Sequence, residues 1–288
     1  MSGKTPEMIE AEADKNLTAI FRKQSKAEEA AELYQKAGNM YKINRQFQEA
    51  GRVFEKSAGA LEKANGAPFE IAAAFIEAAK VYKASSYQDY MRCEERAINI
   101  YIADGKIKRA APHLKTAAEA AEGNSDYDTA ISHYQRAMEF FEIDDVKSTA
   151  QQCKLALANI QSLHKKDYKK AATLYEELAR TYMDNNLTKF SAKDCFFRAA
   201  ICRLAGLEDS DTEAVKEKFS EYATIDPTLN ESFEQRLIMN ICDAIANGDE
   251  EKYSDHVAEY DNLHRLDPWK VQMLLRVKET MQGDSSIL

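Results

Sequence analysis

Residues 26–42 read KAEEAAELYQKAGNMYK and contain the pattern that decides the fold. A small residue, Ala30, is followed four positions later by Tyr34 and seven positions later by Ala37. Offsets of four and seven residues fall on one face of an α-helix. Small residues on that face let a neighbouring helix approach closely, and the large ring fills the space between the two helices. The segment therefore predicts a helix that packs against its neighbours along this face.

The same pattern recurs along the chain at steps of 18 to 22 residues, which is the length of one helix and one turn. Clear copies are Ala130-Tyr134-Ala137 and Ala192-Phe196-Ala199, and less regular copies begin near residues 50, 72, 90, 110, 150, 171 and 214. Polar segments such as Gly123-Asn124-Ser125 separate the copies and carry helix stop signals. Two helices make a unit of about 40 residues, close to the tetratricopeptide class. The sequence predicts an all-α fold: a tetratricopeptide-like right-handed α-solenoid, or twisted sheet of antiparallel helix hairpins, with a C-terminal helical bundle.

The composition supports long helices. Among 288 residues there are only 10 glycines and 5 prolines but 43 alanines, which disfavours an all-β fold. No run of 18 apolar residues is present, and the first 15 residues lack the apolar core of a secretory signal. The cysteines are odd in number and widely spaced: Cys93, Cys153, Cys195, Cys202 and Cys242. We expect free buried thiols and a cytoplasmic protein.

Charge and alanine content both change near Gly206. Residues 207–288 hold 8 Lys/Arg and 19 Asp/Glu, a net charge of −11, whereas residues 1–206 hold 31 and 29, a net of +2. We therefore predict two domains: a twisted sheet of helical hairpins over residues 1–206, and an acidic helical bundle with a tail over residues 207–288. The acidic part is interpreted either as a solubility feature or as a second docking surface for a different partner.

Within residues 207–288 we expect helices over residues 213–224, 229–246 and 250–264, and a last helix that Asp267 caps and Gly283 ends. The only tryptophan, Trp269, is expected to anchor this bundle.

Motifs for chemistry are missing from the sequence. The five histidines show no HExxH spacing, no cysteine pair has zinc spacing, and no phosphate-binding glycine loop occurs. We therefore expect no enzyme, no metal and no cofactor. The net charge of −9 also speaks against binding nucleic acid.

A short apolar cluster, Leu17, Ile20 and Phe21, directly precedes the cations Arg22, Lys23 and Lys26. Apolar groups beside cations suit the surface of an anionic membrane, because the former enter the bilayer while the latter meet phosphate. The alternative is a helix end that packs on the next helix.

Three segments resemble a known family. They are residues 26–42, residues 189–204 (KFSAKDCFFRAAICRL) and residues 259–283 (EYDNLHRLDPWKVQMLLRVKETMQG). Together they are similar to the soluble NSF attachment proteins, and the resemblance runs over essentially the whole chain. It implies an adaptor that binds the assembled SNARE four-helix bundle, built from syntaxin, SNAP-25-like and synaptobrevin-like chains. It also implies recruitment of the hexameric ATPase NSF and stimulation of SNARE disassembly during membrane fusion and trafficking.

The SNARE bundle is an acidic rod, so the resemblance implies a cationic receiving face. The candidates for this face are Lys106, Lys108, Arg109, Lys154, Lys189, Lys193, Arg198 and Arg236. Pro112 and Gln152 stand where familiar members of the family have lysine on this face. Exposed ion pairs are individually weak, so many must act together and binding should be sensitive to salt.

The resemblance implies that the acidic C-terminal part contacts NSF, whose receiving domain is basic. The candidates are Asp209, Asp211, Asp243, Asp249, Glu250, Glu251 and the terminal Leu288. It also assigns Leu17, Ile20 and Phe21 to peripheral membrane contact, which agrees with the interpretation from the residues themselves. The competing interpretation of the same fold is a generic cytosolic tetratricopeptide-type scaffold or chaperone clamp.

Overall fold

The computed structural model describes residues 4–207 and 211–285 of the chain. Within these ranges every regular element is helical, which confirms the all-α prediction. The α-helices are α1 (Pro6–Leu17), α2 (Lys23–Ile43), α3 (Phe47–Lys63), α4 (Pro68–Tyr82), α5 (Tyr87–Ala103), α6 (Ile107–Gly123), α7 (Tyr127–Ile143), α8 (Lys147–Ile160), α9 (Tyr168–Met183), α10 (Ala192–Ala205), α11 (Thr212–Ile225), α12 (Phe233–Ala246), α13 (Glu250–Leu263) and α14 (Pro268–Ser285). A π-helical turn at Gln161–Lys165 and 3₁₀ turns at Lys189–Ser191 and Pro227–Leu229 complete the set.

The chain forms two compact units that divide between Ala150 and Gln151, within α8. We call them the first and the second unit. The boundary predicted from composition, between residues 206 and 207, lies inside the second unit and stays a prediction.

The recurring small–large–small pattern forms the core, as predicted. Tyr34, Tyr134 and Phe196 are all buried, and so are the alanines that flank each of them in the repeat. The close approach of neighbouring helices is most evident at Gly51, where a Cβ atom would lie only 2.5 Å from the ring of Tyr82. The periodicity in the sequence therefore reports contacts between successive helices.

Successive helices of the first unit run antiparallel. The Tyr34 hydroxyl donates a 2.6 Å hydrogen bond to Asp14, while Tyr41, seven residues later on α2, donates to Glu10, which is earlier on α1. The short turns between later helices require the same reversal of direction at each step. The antiparallel hairpins predicted from the repeat are thus present.

Alternate helices of the first unit run parallel, because side-chain pairs between them advance in the same direction on both helices. These pairs are Glu10–Arg52 and Asp14–Lys56 between α1 and α3, Glu55–Arg92 and Glu62–Arg96 between α3 and α5, and Asp126–Tyr87 and His133–Glu95 between α7 and α5. Two edges result, and we name them by their turns. The first edge contains the turns at residues 18–22, 64–67, 104–106 and 144–146, and the second edge contains those at residues 44–46, 83–86 and 124–126.

Five of the seven turns in the first unit, and one in the second, share one hydrogen-bond pattern. In the turn after α2, Arg45 has a left-handed φ of 59°, and the next amide, of Gln46, donates to the carbonyl of Tyr41. The same bond between residues five apart follows left-handed Asn65, Gly105, Ser125, Asp145 and Gly248. It satisfies a carbonyl in the last turn of each helix and reverses the chain in few residues. The polar segments identified in the sequence are therefore helix ends, as predicted.

The second unit is held together by a core that includes Trp269 of α14. Its indole N–H donates to Ser162 Oγ over 3.0 Å, and its ring meets Tyr175 of α9 edge-on at 5.4 Å. The tryptophan fastens α14 to the π-helical turn and to α9, which precede the bundle of residues 207–288 that it was predicted to anchor.

The predicted helices after residue 206 are close to those observed, with two differences. The segment predicted to be helical from residue 229 begins as a 3₁₀ turn, and α12 starts only at Phe233, where the Ser232 hydroxyl accepts from the Gln235 amide. Helix α14 does not end at Gly283 but continues to Ser285. Asp267 caps α14 as predicted, because its carboxylate accepts from the Lys270 amide over 2.9 Å.

Candidate partner-binding surfaces

The turn between α1 and α2 presents apolar side chains to solvent. Ile20 is 78% exposed and Phe21 is 85% exposed, whereas Leu17 is half-buried and lines the wall of a cleft beneath the turn. No side chain caps the start of α2, and its first turn carries no acid. The two most exposed side chains of this turn, Ile20 and Phe21, thus lie next to the N-terminus of α2, which has no side-chain cap and carries the positive end of the helix dipole.

In the first unit, three candidate cations surround the start of α6. Within the part of the chain that the structure describes, Lys106 and Arg109 are exposed and make no ion pair, whereas Lys108 is paired with Asp144. Helix α6 has no acid in its first turn and no side-chain cap. Cations at a helix N-terminus oppose the helix dipole, so this arrangement costs stability unless an external anion compensates it.

The two departures from lysine lie on exposed positions. Pro112 sits inside α6, where its carbonyl accepts a 2.9 Å bond from the Thr116 hydroxyl, and Gln152 is exposed on α8. Lys154, a candidate two residues from Gln152, is paired with Glu177 of α9 at 3.1 Å.

In the second unit, Lys193 and Arg236 belong to one neighbourhood. Lys193 forms a 2.7 Å ion pair with Glu234, and Arg236 lies two residues further along α12, exposed, with its guanidinium 5.5 Å from the Phe233 ring centre. Lys189, four residues before Lys193, is exposed and stacks on the ring of Phe190. Lys189 and Arg236 are exposed to a partner. Lys193 would have to give up its ion pair with Glu234 in order to bind a carboxylate of the partner.

Arg198 is used within the chain. It donates 2.7 Å bonds to Asp194 and to Asp267, its guanidinium lies 4.6 Å from the Trp269 ring centre, and its side chain is only 15% exposed. Lys270 completes the group through Asp194 at 2.5 Å. Burial opposes the charged form of Arg198, but the two aspartates outweigh it and raise its pKa. We call these four charged residues the α10–α14 network.

The acidic candidates gather where α12 meets α13. Asp243 and Asp249 line one cleft of about 200 Å³, and Glu250 and Glu251 follow in the first turn of α13. Asp243 is paired with Lys216 at 2.8 Å. A hydrogen bond from Lys252 lowers the pKa of Asp249, which also caps α13. These acids stabilise a helix start and also present negative charge outward.

The remaining acidic candidates are separate. Asp211 is exposed and caps α11 through the Ala214 amide. Asp209 and Leu288 lie outside the described residues.

Sequence analysis missed the residues that share these surfaces from distant positions. Asp267 of the α10–α14 network lies 69 residues from Arg198, and Lys63 lines the same cleft as Leu17. A usable signal for Lys63 was present, since alternate turns of a helical hairpin stack fall on the same edge.

The described residues contain no group of side chains arranged to hold a metal ion, and no helix among them is long and apolar enough to cross a bilayer. None of the five cysteines forms a disulfide with another described residue, and all five are buried, as predicted. Burial raises the pKa of Cys93, Cys195 and Cys242 to about 12, so these thiols stay protonated and unreactive at neutral pH.

Comparison with known proteins identifies the chain's relatives. The sequence profile described as "Soluble NSF attachment protein, SNAP" matches residues 4–282. The chain belongs to the soluble NSF attachment protein family. It is 33% identical over 272 residues to the alpha-soluble NSF attachment protein of Homo sapiens, covering 94% of this chain and 90% of that protein. It is 32% identical over 293 residues to the beta-soluble NSF attachment protein of Bos taurus, covering 98% of this chain and 96% of that protein.

The family extends to fungi. The vesicular-fusion protein SEC17 of Komagataella phaffii is 33% identical to this chain over 262 residues, which are 90% of this chain and 87% of that protein. Membership of the soluble NSF attachment protein family confirms the resemblance found in residues 26–42, 189–204 and 259–283.

Proposed function

We propose that this chain is a non-catalytic adaptor that binds the assembled SNARE four-helix bundle, recruits NSF and stimulates SNARE disassembly in vesicle fusion. Family membership supports a role in NSF-dependent fusion, because its relatives are named as NSF attachment and vesicular-fusion proteins. The residues of the structure supply the argument for how the chain does this.

The observation that carries the proposal is a pair of surfaces of opposite charge. Lys106 and Arg109 are exposed and make no ion pair with any described residue, and the first turn of their helix carries no acid. Asp249, Glu250 and Glu251 form a negative start to α13. An acidic rod and a basic ATPase domain would each find a complementary surface on a different part of the chain.

The cationic contacts act together and not singly. Each exposed pair contributes about 0.2 to 1 kcal/mol, so a micromolar complex needs many such pairs or several copies of the adaptor. Because these charges are exposed, salt screens them over about 10 Å at 0.1 M ionic strength. Binding should therefore weaken steeply as salt is raised.

The apolar turn adds a membrane contact. Ile20 and Phe21 extend into solvent beside Arg22 and Lys23, which supports peripheral attachment at the cytoplasmic face of an anionic membrane. Leu17 contributes as the wall behind them. Attachment to both a bilayer and a SNARE bundle raises the effective concentration of each contact for the other.

The test is a pull-down with soluble, assembled SNARE bundle at about 50 mM salt, where charges are weakly screened, and at about 500 mM salt, where they are strongly screened. The Lys106→Glu/Arg109→Glu variant should bind the bundle more weakly than the unmodified chain at low salt. The control variant Lys36→Glu reverses a charge at an exposed position of α2 and should bind as the unmodified chain does. Failure of the unmodified chain to bind the bundle at low salt would refute the proposal.

A further inference from the structure

The turns at residues 18–22 and 64–67 are neighbours on the first edge. Helices α1 and α3 run parallel and are joined by Glu10 and Arg52 at 2.6 Å and by Asp14 and Lys56 at 3.0 Å. Both helices therefore end on the same side. Lys63, at the end of α3, lines the cleft beneath the first of these turns.

A third exposed apolar side chain belongs to this place. Phe69 is in the first turn of α4, directly after Pro68, and is 52% exposed. It follows the turn at 64–67 just as the start of α2 follows the turn that carries Ile20 and Phe21. Burying this exposed aromatic surface in a partner would be favourable, because apolar area gains about 25 cal/mol per Å².

Unpaired positive charge lies between the two turns. Arg22, Lys23 and Lys63 are exposed and have no ion-pair partner among residues 4–207 and 211–285. Among the acids close in sequence, Glu62 is paired with Arg96 at 2.7 Å, whereas the exposed Glu28 and Glu70 keep their negative charge. Three cations against these two acids leave a small positive excess, which favours an anionic partner.

The cleft is suited to a phosphate-bearing headgroup. It has a volume of about 480 Å³, its wall contains Leu17, Ile20 and Ala27, and Lys23 and Lys63 contribute cations. The uncapped start of α2 adds unsatisfied backbone N–H groups, which favour an anion. Apolar wall, cations and amides in one place match the boundary between phosphate and acyl chain in an anionic phospholipid.

We propose that these two turns form one membrane-docking surface. Phe69 enters the bilayer beside Ile20 and Phe21, and the cleft between Lys23 and Lys63 receives the phosphate of an anionic phospholipid. The inference rests on the proposed membrane contact of the first turn and extends it to a second helical hairpin. Two turns on one edge also fix the orientation of the first unit against the bilayer, which a single turn does not.

The experiment is co-sedimentation of the full chain, without SNAREs, with vesicles of phosphatidylcholine containing about 30 mol% phosphatidylserine, and with phosphatidylcholine alone. Phe69→Ser should lower the partition coefficient for anionic vesicles about tenfold, because part of the exposed ring surface no longer enters the bilayer. Lys63→Glu should lower it at least tenfold on anionic vesicles and leave the weak binding to neutral vesicles unchanged.

Matched controls come from elsewhere in the first unit. Ile43→Ser removes an isoleucine that is 79% exposed next to the turn at 44–46, on the second edge, and Lys36→Glu reverses an exposed charge on α2. Both should bind vesicles as the unmodified chain does. All the altered side chains are exposed, so each variant should keep its melting temperature, which is measured alongside.

The outcomes separate this inference from the proposed function. If Ile20→Ser/Phe21→Ser abolishes vesicle binding while Phe69→Ser and Lys63→Glu bind normally, the membrane contact is confined to the first turn and the inference is wrong. If none of the variants binds less, membrane docking by either turn is refuted. Equal losses for Ile43→Ser and Phe69→Ser would also overturn the inference, because the effect would then follow apolar exposure and not position.

Discussion

Replacing Arg198 with alanine distinguishes a structural role from a partner contact. The guanidinium bridges Asp194 of α10 and Asp267 of α14 at 2.7 Å each and covers the ring of Trp269. After truncation both aspartates keep an ion pair with Lys270, Asp194 at 2.5 Å and Asp267 at 3.3 Å, so neither carboxylate is left without a partner. The cost should therefore fall below the 3–5 kcal/mol typical of breaking a fully buried pair.

We expect a loss of about 2 to 3 kcal/mol for Arg198→Ala, discounted because Asp194 and Asp267 retain partial exposure to solvent. For a unit of this size that corresponds to a fall of about 5 to 10 °C in melting temperature. Differential scanning calorimetry measures it, with Arg180→Ala as the matched control, because Arg180 is exposed on α9 and makes no ion pair with another described residue. The control should melt within about 2 °C of the unmodified chain.

The same variant is then tested for binding to the SNARE bundle below its melting temperature. If Arg198 serves mainly the α10–α14 network, binding is retained although stability is lower. An unchanged melting temperature combined with a loss of SNARE binding would refute this reasoning and make Arg198 a surface contact.

Three further outcomes are expected. Leu288→Ala should keep SNARE-bundle binding but lower stimulated NSF ATPase activity, and equal ATPase activity would remove Leu288 from the NSF contact. Burial lowers the pKa of His133, so the folded chain disfavours its protonated form. The contribution of His133 to the free energy of unfolding should therefore be fully present above the unfolded pKa of about 6.5 and decrease as the pH falls below it. His133→Gln should reduce this pH dependence, which is measured by melting curves at about pH 7.5 and 5.5. Gly51→Ala places a Cβ 2.5 Å from the Tyr82 ring and should cost about 2 kcal/mol in urea unfolding, whereas Gly59→Ala, in open space on the same helix, should stabilise by about 0.5 kcal/mol. A loss at Gly59 equal to that at Gly51 would show that steric contact is not the cause.

Local pattern was enough to predict most of the fold. The spacing of Ala30, Tyr34 and Ala37 identifies the buried face of α2, because helical periodicity and close packing both act within a few residues. Asp267-Pro268 located the start of α14, since capping is a local interaction. The end of α14 was less accessible, because Gly283 is compatible with a helix interior at a cost of only about 1 kcal/mol.

The partner surfaces were predicted less completely, because they depend on residues that are distant in sequence. The sequence shows that Arg198 is charged, but it does not show that Asp267 already accepts a hydrogen bond from it. Likewise Phe69 resembles any core aromatic of a repeat until the direction of α3 and α4 is known. Composition shows how many charges a chain has, whereas only the packing shows which of them already have a partner.

The alternation of direction in the first unit limits how such a chain can change its length. Inserting or deleting a single helix before Lys106 would reverse the direction of each later helix in the first unit and move Lys106 from the first edge to the second. Adding or removing a pair, about 40 residues, preserves the side on which every later turn emerges. Viable length variants of this architecture should therefore differ by even numbers of helices.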